Sequence, residues 1–220
     1  AGISASHNPA EYNGIKFLGA DGCKLSDDEE LAIEDLLNET PQTSGQVGQI
    51  FDSPELVKDY AAHIASLLEN DAVFDDVIFD CANGASSVSV PVMISHSGFS
   101  RANTKIISRD YDGLNINKNC GVMFMKNLTD YVAQNKLALG FAFDGDADRL
   151  VVVDDNGQIL HGDTLLGVLA LYLKENNELE NNQMIATVMS NGALDDFLTK
   201  HGIAVHRSSV GDKFVLEMMK

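Results

Sequence analysis

The sequence is poor in basic residues and in cysteines, and each shortage argues against a class of protein. Only 15 Lys and Arg stand against 33 Asp and Glu, which gives a net charge of −18 at pH 7. Because nucleic-acid binding depends on clustered cations, this balance argues against a nucleic-acid partner. The three cysteines, Cys23, Cys81 and Cys120, are too few and too widely spaced for a disulfide framework or a zinc knuckle. We therefore expect a reducing, cytoplasmic environment.

Long apolar runs are also scarce. No stretch of the sequence approaches the ~20 consecutive apolar residues that cross a membrane, and no basic and apolar leader precedes the first motif. We expect no membrane partner. The sequence starts at Ala1-Gly2-Ile3 without Met and already reads as a strand that enters a loop. We therefore expect that the sequence is not a whole protein.

Short apolar runs alternate with amphipathic segments, and 45% of the 220 residues are apolar, which is enough for a substantial core. The apolar runs predict strands at residues 15–18, 77–81, 105–107, 137–143, 150–153, 184–189 and 204–206. Helical patterns predict helices after the N-caps Ser26 and Ser53 and over residues 165–173 and 194–198. The alternation predicts an α/β fold, and an expected hairpin over residues 150–160 makes the sheets mixed.

Three carboxylates stand at alternate positions directly after the apolar run that ends at residue 143. In an extended segment alternate side chains point the same way, so Asp144, Asp146 and Asp148 are expected to converge. Carboxylates this close raise one another's pKa, and a divalent cation relieves the repulsion. Oxygen ligands without Cys or His favour Mg²⁺ or Ca²⁺ over Zn²⁺.

Two other interpretations of this segment are a solvated acidic turn and an EF-hand calcium loop. The EF-hand requires Gly at the sixth position, where Arg149 stands, and it requires flanking helices where strands are predicted. The metal loop is the interpretation that we favour.

A second motif reads Ser4-Ala5-Ser6-His7-Asn8-Pro9 and is followed by Asn13-Gly14-Ile15-Lys16. A serine in such a tight turn can present an exposed and oriented hydroxyl. An ordinary serine turn is the alternative for this segment taken alone. A Ser-His-Asp triad is weaker, because no G-x-S-x-G elbow surrounds either serine.

Together the two motifs resemble the phosphoserine loop and the metal loop of the α-D-phosphohexomutase family. The resemblance continues in the family's order through residues 80–85, 113–117, 187–191 and 210–212. The sequence departs from the family at Val122-Met123-Phe124-Met125, where the family has a polar Ser-Thr-His segment, and residues 90–104 match the family poorly. Most of the family's first domain, its Glu-x-Ser-Gly sugar loop and its fourth domain are lacking, which implies a fragment that is incomplete at both ends.

The resemblance implies a chemistry for the two loops. Ser6 would carry the phosphoryl group, and its phosphate would hold one Mg²⁺ together with Asp144, Asp146 and Asp148. Lys16 and Arg149 would balance charge on the transferring group, and His7 would orient the phosphoserine or move a proton. Gly211 and Asp212 would contact the substrate.

The resemblance also implies a substrate and a domain division. Glucosamine 6-phosphate would become the 1-phosphate through a 1,6-bisphosphate, for amino-sugar nucleotide synthesis. Glucose or mannose phosphates, a pure phosphatase and an inactive metal-binding fragment are the alternatives. Residues 1–50 would end a first domain, residues 51–157 would form a second, and residues 158–220 would begin a third, with the active site at a domain interface.

Overall fold

The protein is described by a computed structural model that covers residues 2–40, 45, 48–67, 76–97 and 103–220. It divides into two compact units, Ala1–Gln158 and Ile159–Lys220. Strands and helices alternate in each unit, which confirms the predicted α/β class.

The first unit begins with a small antiparallel hairpin. Strand β1 (Gly2–Ser4) pairs with β2 (Gly14–Lys16), and Ser4 lies opposite Gly14. The connection between the two strands contains Ser6 and a short 3₁₀ helix, Ala10–Tyr12. The hairpin therefore places Ser6 beyond the end of the strand pair where Ser4 and Gly14 face each other, and Lys16 at the other end, opposite Gly2.

Two helices follow this hairpin. Helix α1 (Asp27–Leu36) starts with the predicted capping box, in which Ser26 and Glu29 satisfy each other's backbone N–H groups. Helix α2 (Glu55–Ser66) starts differently from the prediction. Pro54 occupies the cap position and has no side-chain acceptor, and the main-chain carbonyl of Ser53 accepts Leu56 N–H at 3.2 Å. The apolar pattern of the sequence also predicts Leu68 on the buried face of this helix, but Leu68 lies outside the described residues.

A mixed sheet forms the centre of the first unit. Strand β3 (Val77–Asp80) pairs in parallel with β4 (Lys105–Ile107) and with β5 (Leu139–Phe143). Strand β6 (Leu150–Val153) pairs antiparallel with β5. The mixed character is confirmed, and in this unit it comes from the β5–β6 pair. The expected turn after β6 is also formed, because Gly157 N–H donates to Asp154 O at 2.9 Å.

Helices α3 (Ser86–His96) and α4 (Lys126–Asn135) contribute to the cores that bury both faces of β3. On one face Ile78 packs with Leu128 and Val132 of α4, and on the other face Phe79 packs with Val90 of α3. A strand buried on both faces reads as a continuous apolar run, which is why β3 was predictable. Neither helix was predicted, and α3 even contains Pro91.

The apolar segment at residues 122–125 has a structural role. Val122 and Met125 are half-buried and pack against the cluster that contains Leu128, whereas Met123 and Phe124 are exposed. Val122 and Met125, two of the four residues that depart from the family pattern, thus pack against the core.

The second unit contains a parallel βαβ arrangement. The arrangement consists of β8 (Gln183–Thr187), α6 (Gly192–Lys200) and β9 (Ala204–Ser208). The unit also contains β7 (Ile159–Leu160), α5 (Gly162–Glu175) and α7 (Asp212–Met219). Strands β8 and β9 pair in parallel, and α6 connects them. The core of this unit consists of Ala170, Ala186, Leu194, Leu198 and Ile203.

None of the helices in the described part of the chain is long and apolar enough to cross a membrane.

The three cysteines have free thiols in different environments, which predicts different reactivity. Burial raises the pKa of both Cys81 and Cys120 from 9.0 to about 11. At pH 8 such a rise lowers the thiolate fraction about a hundredfold, and only the thiolate is nucleophilic. We expect Ellman's reagent to modify one thiol, Cys23, rapidly in the folded chain and all three in guanidinium. Rapid modification of two or more thiols in the folded chain would contradict the prediction.

Candidate active site

Three loops of the first unit meet at one edge of the sheet. They follow β3, β4 and β5, which are parallel, so their carboxyl ends lie together. Backbone hydrogen bonds join the loops, from Ala85 N–H to Gly145 O at 2.8 Å and from Asn117 N–H to Ala82 O at 2.8 Å. Ligands in α/β sheets bind at this edge.

Left-handed backbone conformations are concentrated in these loops. The φ angles of Ala82, Asn83, Asn117 and Ala147 lie between +50° and +61°. Ser6, in the β1–β2 connection, has φ +52°. Such a conformation in a residue other than glycine costs roughly 1–3 kcal/mol and persists only where the surroundings fix it. Backbone of this kind clusters at functional sites, which makes this edge a candidate site.

The predicted carboxylates converge. One oxygen from each of Asp144, Asp146 and Asp148 lies within 4.8 Å of the others. Asp144 is fully buried, Asp146 is partly buried and Asp148 is exposed. A solvated acidic turn does not bury a carboxylate completely, so that interpretation is wrong.

The carboxylates do not converge through the alternation of an extended strand, so that part of the prediction is wrong. The segment is a turn and not an extended strand, since Ala147 N–H donates to Asp144 O at 3.1 Å and Ala147 has φ +61°. The carboxylates come together because the backbone turns, and not because alternate side chains of a strand point the same way. The turn joins two antiparallel strands and no helices, which excludes an EF-hand.

The site residues fit a divalent cation. Asp146 Oδ1 is buried and, among the described residues, has no hydrogen-bond partner. A buried carboxylate oxygen without a donor is costly, and a cation would satisfy it. The other candidate ligands are carboxylates too, and hard cations prefer oxygen ligands.

Ser6 lies beside this cluster. Its Oγ is 3.5 Å from Asp144 Oδ2 and 3.4 Å from His7 Nδ1. The Ser6 carbonyl accepts Gly145 N–H at 2.9 Å, which joins the serine turn to the metal loop directly. Its N–H donates to Ser4 Oγ at 2.8 Å. The geometry places a hydroxyl, an imidazole and a buried carboxylate together.

Two cations balance part of the negative charge. Lys16 Nζ lies 2.8 Å from Asp146 Oδ2 and 3.6 Å from Asp148 Oδ2, and Arg149 Nε lies 3.8 Å from Asp144 Oδ2. Lys16 and Arg149 are each about half exposed, so both can reach a bound ligand.

These contacts shift the pKa values of the cluster. Burial raises the pKa of Asp144, and the neighbouring carboxylates add to this rise, against a backbone N–H donated by Arg149. Burial also acts to raise the pKa of Asp146, but the hydrogen bond and charge of Lys16 outweigh it and hold this pKa below its usual value. The hydrogen bond to Asp146 raises the pKa of Lys16. Lys16 is therefore a firmly protonated cation at the edge of the cluster.

The two residues predicted to contact substrate lie in the second unit. Gly211 has φ +132°, and Asp212 is the first residue of helix α7. Asp212 Oδ1 accepts its neighbour's N–H, Lys213 N, at 2.9 Å. Their role as substrate ligands stays a prediction.

Three residues that hold the site together were not singled out from the sequence. Asp80 is fully buried at the end of β3, and its carboxylate accepts Ala82 N–H at 3.0 Å and Gly121 N–H at 2.9 Å. The side chain of Asn117 donates to Ser6 O at 2.7 Å.

Gly84 is the third of these residues. A Cβ on Gly84 would lie 2.2 Å from Gly145 O, so only glycine fits against the metal loop there. All three residues lie in the segments 80–85 and 113–117 that carry the family resemblance, but the resemblance assigned no role to them.

Comparison with known proteins identifies the class to which this fold and site belong. Sequence models of the phosphoglucomutase/phosphomannomutase family match the chain as alpha/beta/alpha domain I over residues 1–44, domain II over residues 58–157 and domain III over residues 161–220. The chain belongs to this family of phosphohexomutases.

Within the family the chain is most like the phosphoglucosamine mutases. The proteins of that name from Campylobacter hominis and Campylobacter fetus are 47% and 46% identical to it, over 99% of this chain and 50% of each relative. A crystal structure of a phosphoglucomutase/phosphomannomutase family protein from Burkholderia thailandensis matches with a TM-score of 0.74 and 25% identity, over 99% of this chain and 46% of that chain. The chain thus spans about half the length of the curated relatives that it matches.

Proposed function

We propose that the protein to which this chain belongs interconverts glucosamine 6-phosphate and glucosamine 1-phosphate through a phosphoserine at Ser6. The observation that carries the proposal is the position of Ser6 Oγ, 3.5 Å from the buried Asp144 carboxylate in the metal loop. The similarity to phosphoglucosamine mutases supports the choice of sugar.

The covalent chemistry would occur on Ser6 in two half-steps. A hydroxyl oxygen of the sugar phosphate attacks the phosphorus of phosphoserine, the bond between phosphorus and Ser6 Oγ breaks, and the proton of the attacking hydroxyl ends on Ser6 Oγ. The resulting 1,6-bisphosphate turns over and returns its other phosphoryl group to Ser6 by the reverse exchange. His7 Nδ1, 3.4 Å from Ser6 Oγ, is placed to hold the proton in transit.

The acidic cluster would hold Mg²⁺, with the phosphate of Ser6, Asp144, Asp146 and Asp148 as ligands. A phosphoserine adds a charge of about −1.5 to −2, which completes an oxygen shell for a hard cation. When bound, Mg²⁺ supplies charge that offsets the negative charge on the phosphoryl oxygens.

Further substrate contacts are proposed for two cations of the first unit and for two residues of the second unit. Lys16 and Arg149 would bind the equatorial oxygens of the transferring phosphoryl group. Both side chains are half exposed, and they lie beside Asp146 and Asp144 respectively. Gly211 and Asp212 would contact the sugar phosphate. We retain the division at about residues 50 and 157 and the cytoplasmic location as parts of this proposal.

The proposal predicts a stable phosphate on one serine. We expect the chain, incubated with Mg²⁺ and glucosamine 1,6-bisphosphate, to gain about one phosphate, because a covalent phosphoenzyme is part of the reaction. Peptide mapping by mass spectrometry should place it on Ser6, and Ser6→Ala should abolish the gain. Ser95→Ala, which removes an exposed hydroxyl of α3, is the matched control and should take up phosphate like the original chain.

The choice of bisphosphate distinguishes the sugars. Faster phosphorylation from glucose or mannose 1,6-bisphosphate than from glucosamine 1,6-bisphosphate would assign the site to those hexoses. Folded protein that accepts phosphate on Ser6 from none of the three would contradict the phosphoserine mechanism.

A further inference from the structure

The turn that contains Ser6 needs an external support. Ser6 has φ +52°, a conformation that few residues with a Cβ adopt. The turn closes on itself through one backbone hydrogen bond, from Asn8 N–H to Ala5 O at 2.9 Å. Strained backbone of this kind keeps its conformation only where surrounding contacts fix it.

Asn117 supplies two contacts to this turn. Its Nδ2 donates to Ser6 O at 2.7 Å and to Asn8 O at 2.8 Å, so one amide group binds the main chain on both sides of His7. The Ser6 carbonyl has a second donor, Gly145 N–H, at 2.9 Å. One carbonyl therefore joins the serine turn, the metal loop and Asn117.

Asn117 is itself fixed by the sheet. Its own N–H donates to Ala82 O at 2.8 Å in the loop after β3, and its φ of +58° lies in the left-handed region that asparagine tolerates better than most residues. The side chain is short, carries two N–H donors and is half-buried. The Asn117 side chain can thus fix the serine turn relative to the carboxyl end of β3.

We infer that Asn117 is a positioning residue for phosphoryl transfer, which holds the Ser6 main chain so that Oγ faces the Asp144 carboxylate. This inference rests on the proposed role of Ser6. It assigns to the loop after β4 a part in the chemistry, although no atom of Asn117 needs to touch the substrate.

Asn117→Asp is the sharpest test, because it keeps the size and the tolerance of positive φ while it replaces both donors with acceptors. A displacement of about 1 Å from the productive geometry can cost 10²-fold in rate. We expect the first-order rate of Ser6 phosphorylation at saturating glucosamine 1,6-bisphosphate to fall about a hundredfold, with the half-saturating concentration little changed. Asn127→Asp is the matched control, since Asn127 Nδ2 donates to Asn119 O at 3.1 Å in the same unit and does not contact the serine turn.

A second measurement tests the support without any phosphoryl transfer. Hydrogen exchange of single amides by NMR should show the Asn8 and Gly145 amides exchanging at least about tenfold faster in Asn117→Asp, because local opening becomes easier when the contact is lost. Amides of α4 should exchange as before. Unchanged exchange at both Asn8 and Gly145, or an unchanged phosphorylation rate, would overturn the inference. If the original chain takes up no phosphate on Ser6, the proposed function fails, and the exchange rates still decide whether Asn117 supports the turn.

Discussion

Asp146→Ala should lower the affinity of the chain for Mn²⁺ by at least about a hundredfold. Mn²⁺ serves here as a probe of the proposed Mg²⁺ site. The substitution removes one of three converging carboxylates, and with it the buried oxygen that has no hydrogen-bond partner among the described residues. Loss of groups that only support metal ligands lowers affinity about 10–100-fold, so loss of a ligand should cost at least as much.

The measurement is a calorimetric titration of the metal-free chain at fixed pH and salt. Asp155→Ala is the matched control, because Asp155 is an exposed carboxylate in the turn after β6, outside the cluster. An affinity of Asp146→Ala within about threefold of the original chain would show that Asp146 is not a ligand. A similar loss in Asp155→Ala would point to bulk charge instead of coordination.

Asp80→Ala should lower the free energy of unfolding of the first unit by about 3 kcal/mol. Asp80 is fully buried, and its two oxygens accept Ala82 N–H and Gly121 N–H. The substitution leaves both donors buried without an acceptor, and each such group costs roughly 1–3 kcal/mol. Urea unfolding followed by circular dichroism would measure the loss.

Asp76→Ala provides the comparison for that experiment. Asp76 also accepts a backbone N–H, from Asn103 at 3.1 Å, but it is exposed, so water can replace it. We expect a loss of less than about 1 kcal/mol. Equal losses in the two variants would mean that burial of the Asp80 carboxylate does not matter.

Local sequence patterns predicted most strands and the position of the acidic cluster. Strands β3 and β5 are short apolar runs because the sheet buries them on both sides, and the capping box of Ser26 and Glu29 requires only neighbouring residues. The order of carboxylates in residues 144–148 was informative although the backbone there turns. The site was predictable because three carboxylates stand close together in the sequence, although their expected extended conformation was wrong.

The supporting contacts were not predictable in the same way. Asp80 reads as an ordinary end of a strand, and its importance depends on Gly121, which is 41 residues away. Asn117 contacts Ser6 across 111 residues. Helix α3 was missed because Pro91 and several serines weaken its pattern, while tertiary packing of Val90 compensates.

The contact between Ser6 Oγ and Asp144 Oδ2 spans 138 residues of sequence. A non-local contact forms only after the entropy of closing the intervening loop has been lost, so it develops later than local contacts. We expect the β3–β5 sheet to assemble before the serine turn docks on it. The active site of Ser6 and the Asp144 loop would then form in the last folding step. In refolding experiments, Mn²⁺ binding should therefore recover more slowly than secondary structure.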